Sequence, residues 1–365
     1  MSRTFKALSM QPKVHFPAQF PGAVSNAFSS RKARQGHAWL GPWFLPLAAL
    51  YAAALWLRHK AYDWGLLHSE RGALPTLVVG NLELGGTGKT PHAMDLAKRL
   101  ESRLGTGKVA ILSRGHGRSS NRFQWVDSAC KWEHVGDEPW MMARALHPIP
   151  VAVGANRLKA LNAMAQTRPE LKAVVLDDGM QHRALVPDRL VCLLSRPNAS
   201  WFSVLPAGPW RDLPARASQA DLTVATEGTV QGTHAQSQTS AHSPTCVHPA
   251  PLDTPLEHPA LLVTGTAQPQ RVVESAVHLK VALAACAHYP DHHPFLARDI
   301  KAWNAYGVNH GVQDLLTTAK DAARLDPWLP QLASWRIWIL PMEVHWEDED
   351  TVDVFLNSWV RTLPS

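Results

Sequence analysis

The sequence predicts an α/β protein: a mostly parallel sheet, a second, smaller α/β unit after it and a hydrophobic helix before it. Three observations carry this reading. Short, wholly apolar runs alternate with helical patterns, as strands buried on both faces of a parallel sheet do. A polar, Ser/Thr/Gln/His/Pro-rich stretch at 228–258 interrupts that alternation and a further α/β pattern follows it. Residues 38–57, AWLGPWFLPLAALYAAALWL, contain no charge.

The hydrophobic segment comes first in chain order. Twenty helical residues would be about 30 Å long, roughly the thickness of a hydrocarbon core. Trp39, Trp43 and Trp56 lie toward its ends, with Arg31, Lys32 and Arg34 before it and Arg58 and Lys60 after it. Such flanks mark a membrane interface. Pro42 and Pro46 start the helix late or kink it. Four readings compete: a cleaved signal peptide, a full span, a short partly inserted anchor and a buried core helix. A signal peptide would send the rest of the chain away from nucleotide, and a span would put the basic leader outside, against the positive-inside rule. The preferred reading is an anchor over 37–65, with both flanks on one side of the membrane.

Charge divides in the same place. Of the 36 Lys and Arg residues, eight precede Asp63, and no Asp or Glu does; the remaining 28 face 30 acidic residues. The leader, residues 1–36, is expected to be disordered, and its charge suits an anionic surface. Cys130, Cys192, Cys246 and Cys286 are far apart and form no CxxC pair, which argues against zinc and disulfide frameworks and fits a reducing compartment.

Within residues 66–227 the expected strands are 74–79, 109–113, 150–153, 173–176, 190–194 and 221–225, with helices at 91–104, 139–145 and 157–166. The segment 228–258 reads as a flexible linker. In 259–365 strands are expected at 261–264, 314–317 and 335–340, and helices at 271–283 and 348–363.

The densest local motif is Gly85-Gly86-Thr87-Gly88-Lys89-Thr90, between an apolar strand and a helix. This is the setting of a P-loop: backbone N–H groups curl around phosphates, Lys89 faces the outer phosphates, Thr90 offers a hydroxyl to Mg²⁺, and the helix N-terminus adds its dipole. The first position of the strict pattern is Glu83 rather than Gly. A P-loop NTPase-like sheet follows, with ATP and Mg²⁺ implied. Asp177 and Asp178 end a later strand, where a carboxylate can hold the metal, although Asp-Asp-Gly is also a good turn sequence. Gly136-Asp137-Glu138-Pro139 opens a helix and reads equally as capping or as catalysis. Asp291-His292-His293 reads as a base, a metal ligand or an inert pair. Arg114, Arg118, Arg157 and Arg211 are candidate phosphate contacts.

With these segments in order, the chain resembles the tetraacyldisaccharide 4'-kinase family, the lipid A 4'-kinases. VVGNLELGGTGKTP at 78–91, LSRGHGR at 112–118, VGDEP at 135–139, VLDDGMQHR at 175–183, LPAGPWRDLP at 205–214, YPDHHPF at 289–295 and TTAKDAARL at 317–325 carry the resemblance, which spans about residues 74–341. It implies transfer of the ATP γ-phosphate to the 4'-hydroxyl of a tetraacylated disaccharide 1-phosphate at the cytoplasmic face of a bacterial inner membrane. It further implies Asp137 as general base, His292 paired with it, and Glu138, Asp177 and Asp178 near the metal. Gln181 and His182 would line the site, and Arg211 would be a phosphate or substrate ligand. Membrane lipids and a lipid-linked disaccharide are the expected partners, with no nucleic acid, and a monomer is expected. In this chain Glu83 adds a negative charge near the phosphates and Ala319 replaces a usual Glu. The alternatives are a membrane-associated P-loop ATPase or GTPase, which leaves GDEP and DHH unexplained, and a nucleic-acid-binding protein, which the slightly acidic body disfavours.

Overall fold

The computed structural model describes residues 41–84, 86–195, 204–226, 233–248 and 255–364; the leader 1–36 and Gly85 lie outside the described residues. A 3₁₀ turn, Gly41–Phe44, leads into α1 (Leu45–Asp63). The strands and helices of the body follow as β1 (Thr76–Asn81), α2 (Lys89–Leu104), β2 (Val109–Ser113), β3 (Gln124–Val126), α3 (Trp132–Val135), α4 (Asp137–Ala145), β4 (Val151–Val153), α5 (Arg157–Thr167), β5 (Ala173–Asp177), β6 (Arg189–Leu194) and β7 (Leu222–Ala225). Then come β8 (Ala235–Ala241), β9 (Thr245–His248), β10 (Ala260–Thr264), α6 (Pro269–His278), β11 (Leu283–His288), α7 (Ala297–His310), β12 (Asp314–Thr318), α8 (Ala319–Leu325), β13 (Arg336–Leu340), β14 (Met342–Trp346) and α9 (Glu349–Val360).

Two sheets result. The larger runs β14-β8-β7-β6-β1-β5-β2-β4-β3 and is parallel from β8 through β4, with antiparallel edges at β14 and β3. The smaller runs β11-β10-β12-β13-β9 and is parallel apart from β9. Alternation within each strand builds two cores per sheet. Leu77 and Val79 of β1 join Leu96, Leu100 and Ile111 on one face, while Val78 joins Ala48, Ala52, Leu112 and Leu176 on the other. The chain leaves β1 for β2 on one side and leaves β5 for β6 on the other. β1 and β5 are adjacent, so their carboxyl ends flank the switch point where open α/β sheets bind ligands.

Three expectations need correction. The segment 228–258, expected as a linker, carries β8 and β9. Its polar composition hid strands whose backbones pair with β7, β14 and β13. Residues 342–360, expected with the second unit, return to the larger sheet: β14 pairs with β8, and Trp346, Val352, Leu356 and Trp359 enter its core. The helix expected at 271–283 ends at His278, and the Ala-rich LAACAH that follows is strand β11, not helix. Alanine favours helix locally, but pairing with β10 overrides it. Helix α7 and strand β3 had no clear sequence signal. The chain crosses between the sheets twice, at β8–β9 and β13–β14, and the two crossings touch where the His242 N–H donates to the Pro341 carbonyl at 3.0 Å.

Helix α1 runs past the charged Arg58 and Lys60 to Asp63. Its inner face buries Ala48 and Ala52 and lays Tyr51 and Leu55 on the core. Its outer side exposes Leu47, Leu50, Trp56 and Leu57, with Trp43 before it and Trp64 and Leu66 after it. Among the described residues no helix is long and apolar enough to cross a membrane.

Candidate active site

The P-loop helix α2 starts at Lys89, behind Gly88. Gly88 has φ +79°, the left-handed region where a side chain is strained, and a Cβ there would lie 3.1 Å from Thr239 Cγ2. Asn81, the last residue of β1, is the hub of the loop. Its amide donates to Thr87 Oγ1 at 2.8 Å and to the Glu83 carbonyl at 2.9 Å. Its side-chain oxygen accepts from Lys89 Nζ at 3.2 Å and from Arg211 Nη2 at 2.6 Å. Gln181 Nε2 donates to the Asn81 carbonyl at 2.8 Å, tying the DDGMQH turn to the same strand. Glu83 does not point its charge at the loop as expected. Its buried carboxylate accepts from Ser195 N–H at 3.2 Å and Ser195 Oγ at 2.7 Å, at the end of β6.

The neighbouring strand β5 supplies the acids. Asp178 is bound by both Arg211 Nη atoms and lies 4.0 Å from Lys89 Nζ. Burial raises its carboxyl, but the Arg211 hydrogen bond and the charges of Lys89, Arg211 and Arg157 outweigh that and hold it below the ordinary range. Asp177 is the opposite case. Burial, with Glu138 and Asp178 adding repulsion, pushes its carboxyl up to about 7. Its Oδ2 accepts from Thr90 Oγ1 at 3.4 Å, and its buried Oδ1 has no partner. Burial lowers the Lys89 ammonium, partly offset by Asp178.

This donor set fits a hard divalent cation. A hydroxyl and carboxylates converge, one carboxylate oxygen is orphaned, and the proton that burial holds on Asp177 is one a cation would displace. Among the described residues no three His, Cys, Asp or Glu side chains are gathered for a metal. Mg²⁺ takes one or two carboxylates and completes its shell with phosphate and water.

Asp137 opens α4 behind Gly136, whose φ is +96° and whose Cβ would lie 3.1 Å from the His116 carbonyl. The smaller sheet meets it. Asp137 Oδ2 lies 2.9 Å from His292 Nδ1, and Arg324 Nη1 of α8 lies 3.5 Å from the same oxygen. Lys320, also on α8, lies 3.3 Å from Glu138 Oε1 and 3.1 Å from His292 Nε2. Burial raises the Asp137 carboxyl, but the His292 hydrogen bond and the charges of Lys320, His292 and Arg324 leave it lowered and ionised. The bond to Asp137 raises His292 against its own desolvation. His293 turns away to Asp299 at 2.8 Å.

Lys89, Thr90, Asp177, Asp178, Glu138 and Arg211 thus gather around one edge, with the Asp137–His292 pair across from them. His182 and Arg157 sit farther along that edge. Three groups escaped the sequence reading: Asn81, Lys320 and Arg324. The last two lie in TTAKDAARL, where a Lys and an Arg four apart share one face of α8.

Comparison with known proteins agrees with this geometry. The profile of the Tetraacyldisaccharide-1-P 4'-kinase family matches residues 40–361. This chain belongs to that family. Relatives named tetraacyldisaccharide 4'-kinase include one from Methylibium petroleiphilum, 34% identical over 337 residues, covering 84% of this chain and 87% of its own. Another, from Polaromonas naphthalenivorans, is 31% identical and covers 92% of this chain and 96% of its own. Among solved structures, LpxK from Aquifex aeolicus in complex with ATP superimposes with a TM-score of 0.70 at 25% identity, over 87% of this chain and 99% of that one. The family profile spans both sheets, so the 4'-kinase relationship covers the P-loop side and the Asp137–His292 side together.

Proposed function

We propose that this protein transfers the γ-phosphoryl group of ATP to the 4'-hydroxyl of a tetraacyldisaccharide 1-phosphate, giving the 1,4'-bisphosphate (lipid IVA). The observation that carries the reading is the 2.9 Å pair between Asp137 at the P-loop edge and His292 from the other sheet. A plain P-loop ATPase has no need of that pair.

The chemistry follows from the side chains. Asp137 is ionised and accepts the proton of the attacking hydroxyl as the phosphoryl group moves; a positioned base of this kind contributes roughly 10²–10⁴-fold. His292 orients that carboxylate and Arg324 screens it. Lys89 and Arg211, both held on Asn81 and Asp178, exchange those partners for phosphate oxygens and neutralise the charge that develops in transfer. Thr90 and Asp177 would hold Mg²⁺, with Glu138 beside them, and the cation would supply positive charge against the charge of the transferring phosphoryl group. Approach of the two sheets excludes water from the transferring group.

The site of action proposed is the cytoplasmic face of a bacterial inner membrane. The exposed row that starts at Trp43, just before α1, and continues along α1, with Trp43 80% and Leu50 69% exposed, suits the interfacial region of a bilayer. The inner face of α1 is fixed to the site: Tyr51 donates to the Arg211 carbonyl at 3.0 Å, and His59 Nε2 lies 2.6 Å from Asp212 Oδ1. Flotation with liposomes should carry the protein, and Leu50→Glu with Trp56→Glu should release it.

The deciding assay mixes γ-labelled ATP, Mg²⁺ and the tetraacyldisaccharide 1-phosphate in detergent. Label on the 4'-position supports the reading. Phosphate release without acceptor at a comparable rate would replace it with an ATPase.

A further inference from the structure

Helix α2 carries a buried histidine that the transfer chemistry does not use. His92 is 0% exposed and stands one turn after Gly88, at the end of the P-loop. Its Nδ1 lies 2.7 Å from the Gly88 carbonyl oxygen, and its backbone N–H donates to the same oxygen at 3.1 Å. A carbonyl only accepts, so Nδ1 carries a proton and donates. Nε2 lies 2.8 Å from Ser237 Oγ of β8; burial holds the imidazole neutral, and Nε2 accepts from that hydroxyl. The ring meets Trp346 of β14 edge-on, with centroids 5.2 Å apart. Trp346 in turn donates from Nε1 to Asp95 Oδ2 at 2.7 Å, about one turn further along α2. Ser237 and Trp346 are direct partners in the β8–β14 pairing. Thr239, also on β8, closes on Gly88: a Cβ built there would lie 3.1 Å from the Thr239 methyl and 3.3 Å from His92 Nδ1. The β8–β14 ladder thus grips the end of the P-loop. An apolar side chain needs no partners at a buried helix position. An imidazole is costly there unless its nitrogens are satisfied, and both are.

We infer that His92 is a positioning residue for ATP: held by Ser237 and Trp346, it pins the Gly88 carbonyl and so aims the Lys89 backbone N–H into the phosphate cradle. The peptide plane carries the argument. The C=O and N–H of one trans peptide point in opposite directions. A carbonyl pinned against His92 therefore sends the Lys89 N–H the other way, into the hollow of the loop. Lys89 is the first residue of α2, so its N–H has no acceptor within the helix and is the kind of donor that an anion at a helix N-terminus takes. Gly88 makes the pin necessary. With no side chain and φ +79°, it leaves its peptide free to rotate at little cost, and rotation would turn the N–H away. The bond from the His92 backbone N–H is one that any helix start makes. The imidazole bond is added to it and is anchored in a different element. ATP affinity then depends on the β8–β14 ladder, although β8 lies three strands along the sheet from β1. The inference rests only on the ATP half of the function proposed above.

The test measures ATP binding by calorimetry on the full chain, with Mg²⁺ and no acceptor, and then the ATP KM, acceptor KM and kcat in the transfer assay. His92→Asn keeps an amide near the place of Nδ1 and loses the reach to Ser237. His92→Gln puts its amide near the place of Nε2 and loses Gly88. The Gln variant should bind ATP about tenfold more weakly and the Asn variant within about threefold of wild type. For both, kcat at saturating ATP and the acceptor KM should stay within about twofold of wild type. In ¹⁵N-labelled protein, saturating ATP should move the Lys89 amide resonance downfield in the wild type and the Asn variant, and less in the Gln variant. Wild-type ATP affinity in the Gln variant would overturn the inference. So would equal losses in both variants that extend to kcat and the acceptor KM, the mark of a packing role. Ser237→Ala, which leaves His92 in place, keeps the comparison should a His92 variant fail to fold: ATP bound about two- to threefold more weakly with kcat unmoved supports the inference, and unchanged ATP affinity overturns it. Binding is read without acceptor, so a wild type that binds ATP yet labels no lipid would end the transfer reading and leave this comparison intact.

Discussion

The two charged regions along the larger sheet's edge differ in how they are finished. Beside the P-loop every cation has a protein partner: Lys89 and Arg211 share Asn81 and Asp178. Two to three strands away, Arg118 and Arg157 keep buried donors unused. On the function proposed above, the first region is preorganised and would exchange partners when phosphate arrives. The difference teaches that a cluster of cations can be built stable when carboxylates bind them directly, as Asp178 binds Arg211, whereas Arg157 feels Asp177 and Asp178 only at a distance.

That contrast can be broken at several points. Lys89→Ala removes the cation aimed at the outer phosphates, and phosphoryl transfer should fall by roughly 10³-fold or more; a loss under tenfold in a steady-state assay would place the phosphates elsewhere. Arg211→Gln should cost roughly 10²-fold and leave Asp178 without its main partner, so that the Asp178 carboxyl titrates at higher pH by NMR. Asp177 supplies a pH dependence. Its carboxyl sits at about 7 in the protein against 3.8 when unperturbed, so below pH 7 a proton competes with the cation, and the apparent Mg²⁺ affinity should fall about tenfold per pH unit. The same shift runs the other way for stability. The folded state holds this proton between about pH 4 and 7 while the unfolded state has released it, so without metal stability declines as pH rises through that window. Asp177→Asn should therefore melt higher than the wild type at pH 8 without Mg²⁺. The smallest effect is expected at Glu83. If its charge opposed the phosphates, Glu83→Gln would lower the ATP KM. Bound to Ser195 as it is, the substitution should change that KM less than about twofold and cost roughly 1 kcal/mol of stability in urea unfolding.

Sequence made the larger sheet's centre legible because its strands are buried on both faces and read as unbroken apolar runs; β2 lies at 109–113, where the pattern put it. The strand next to the edge was not legible. β8 is AQSQTSA, polar because one side meets solvent, and its strand character comes from pairing with β7 and β14. The Ala-rich β11 was hidden by its own helix propensity. The candidate site divides similarly. Lys89, Thr90 and the Asp177–Asp178 pair announce themselves by glycines and a strand end. Asn81 reads as any polar residue after a strand, and Lys320 and Arg324 reach Glu138 and Asp137 only because the second sheet folds against the first.

The most direct test of the central claim, that a carboxylate at the P-loop edge and a histidine from the other sheet form one proton-accepting pair, is single-turnover transfer by Asp137→Asn, with ATP affinity measured on the same protein. The account predicts ATP binding within about twofold of wild type and transfer slowed by roughly 10³-fold. Transfer at a near-normal rate would contradict it and remove Asp137 from the chemistry.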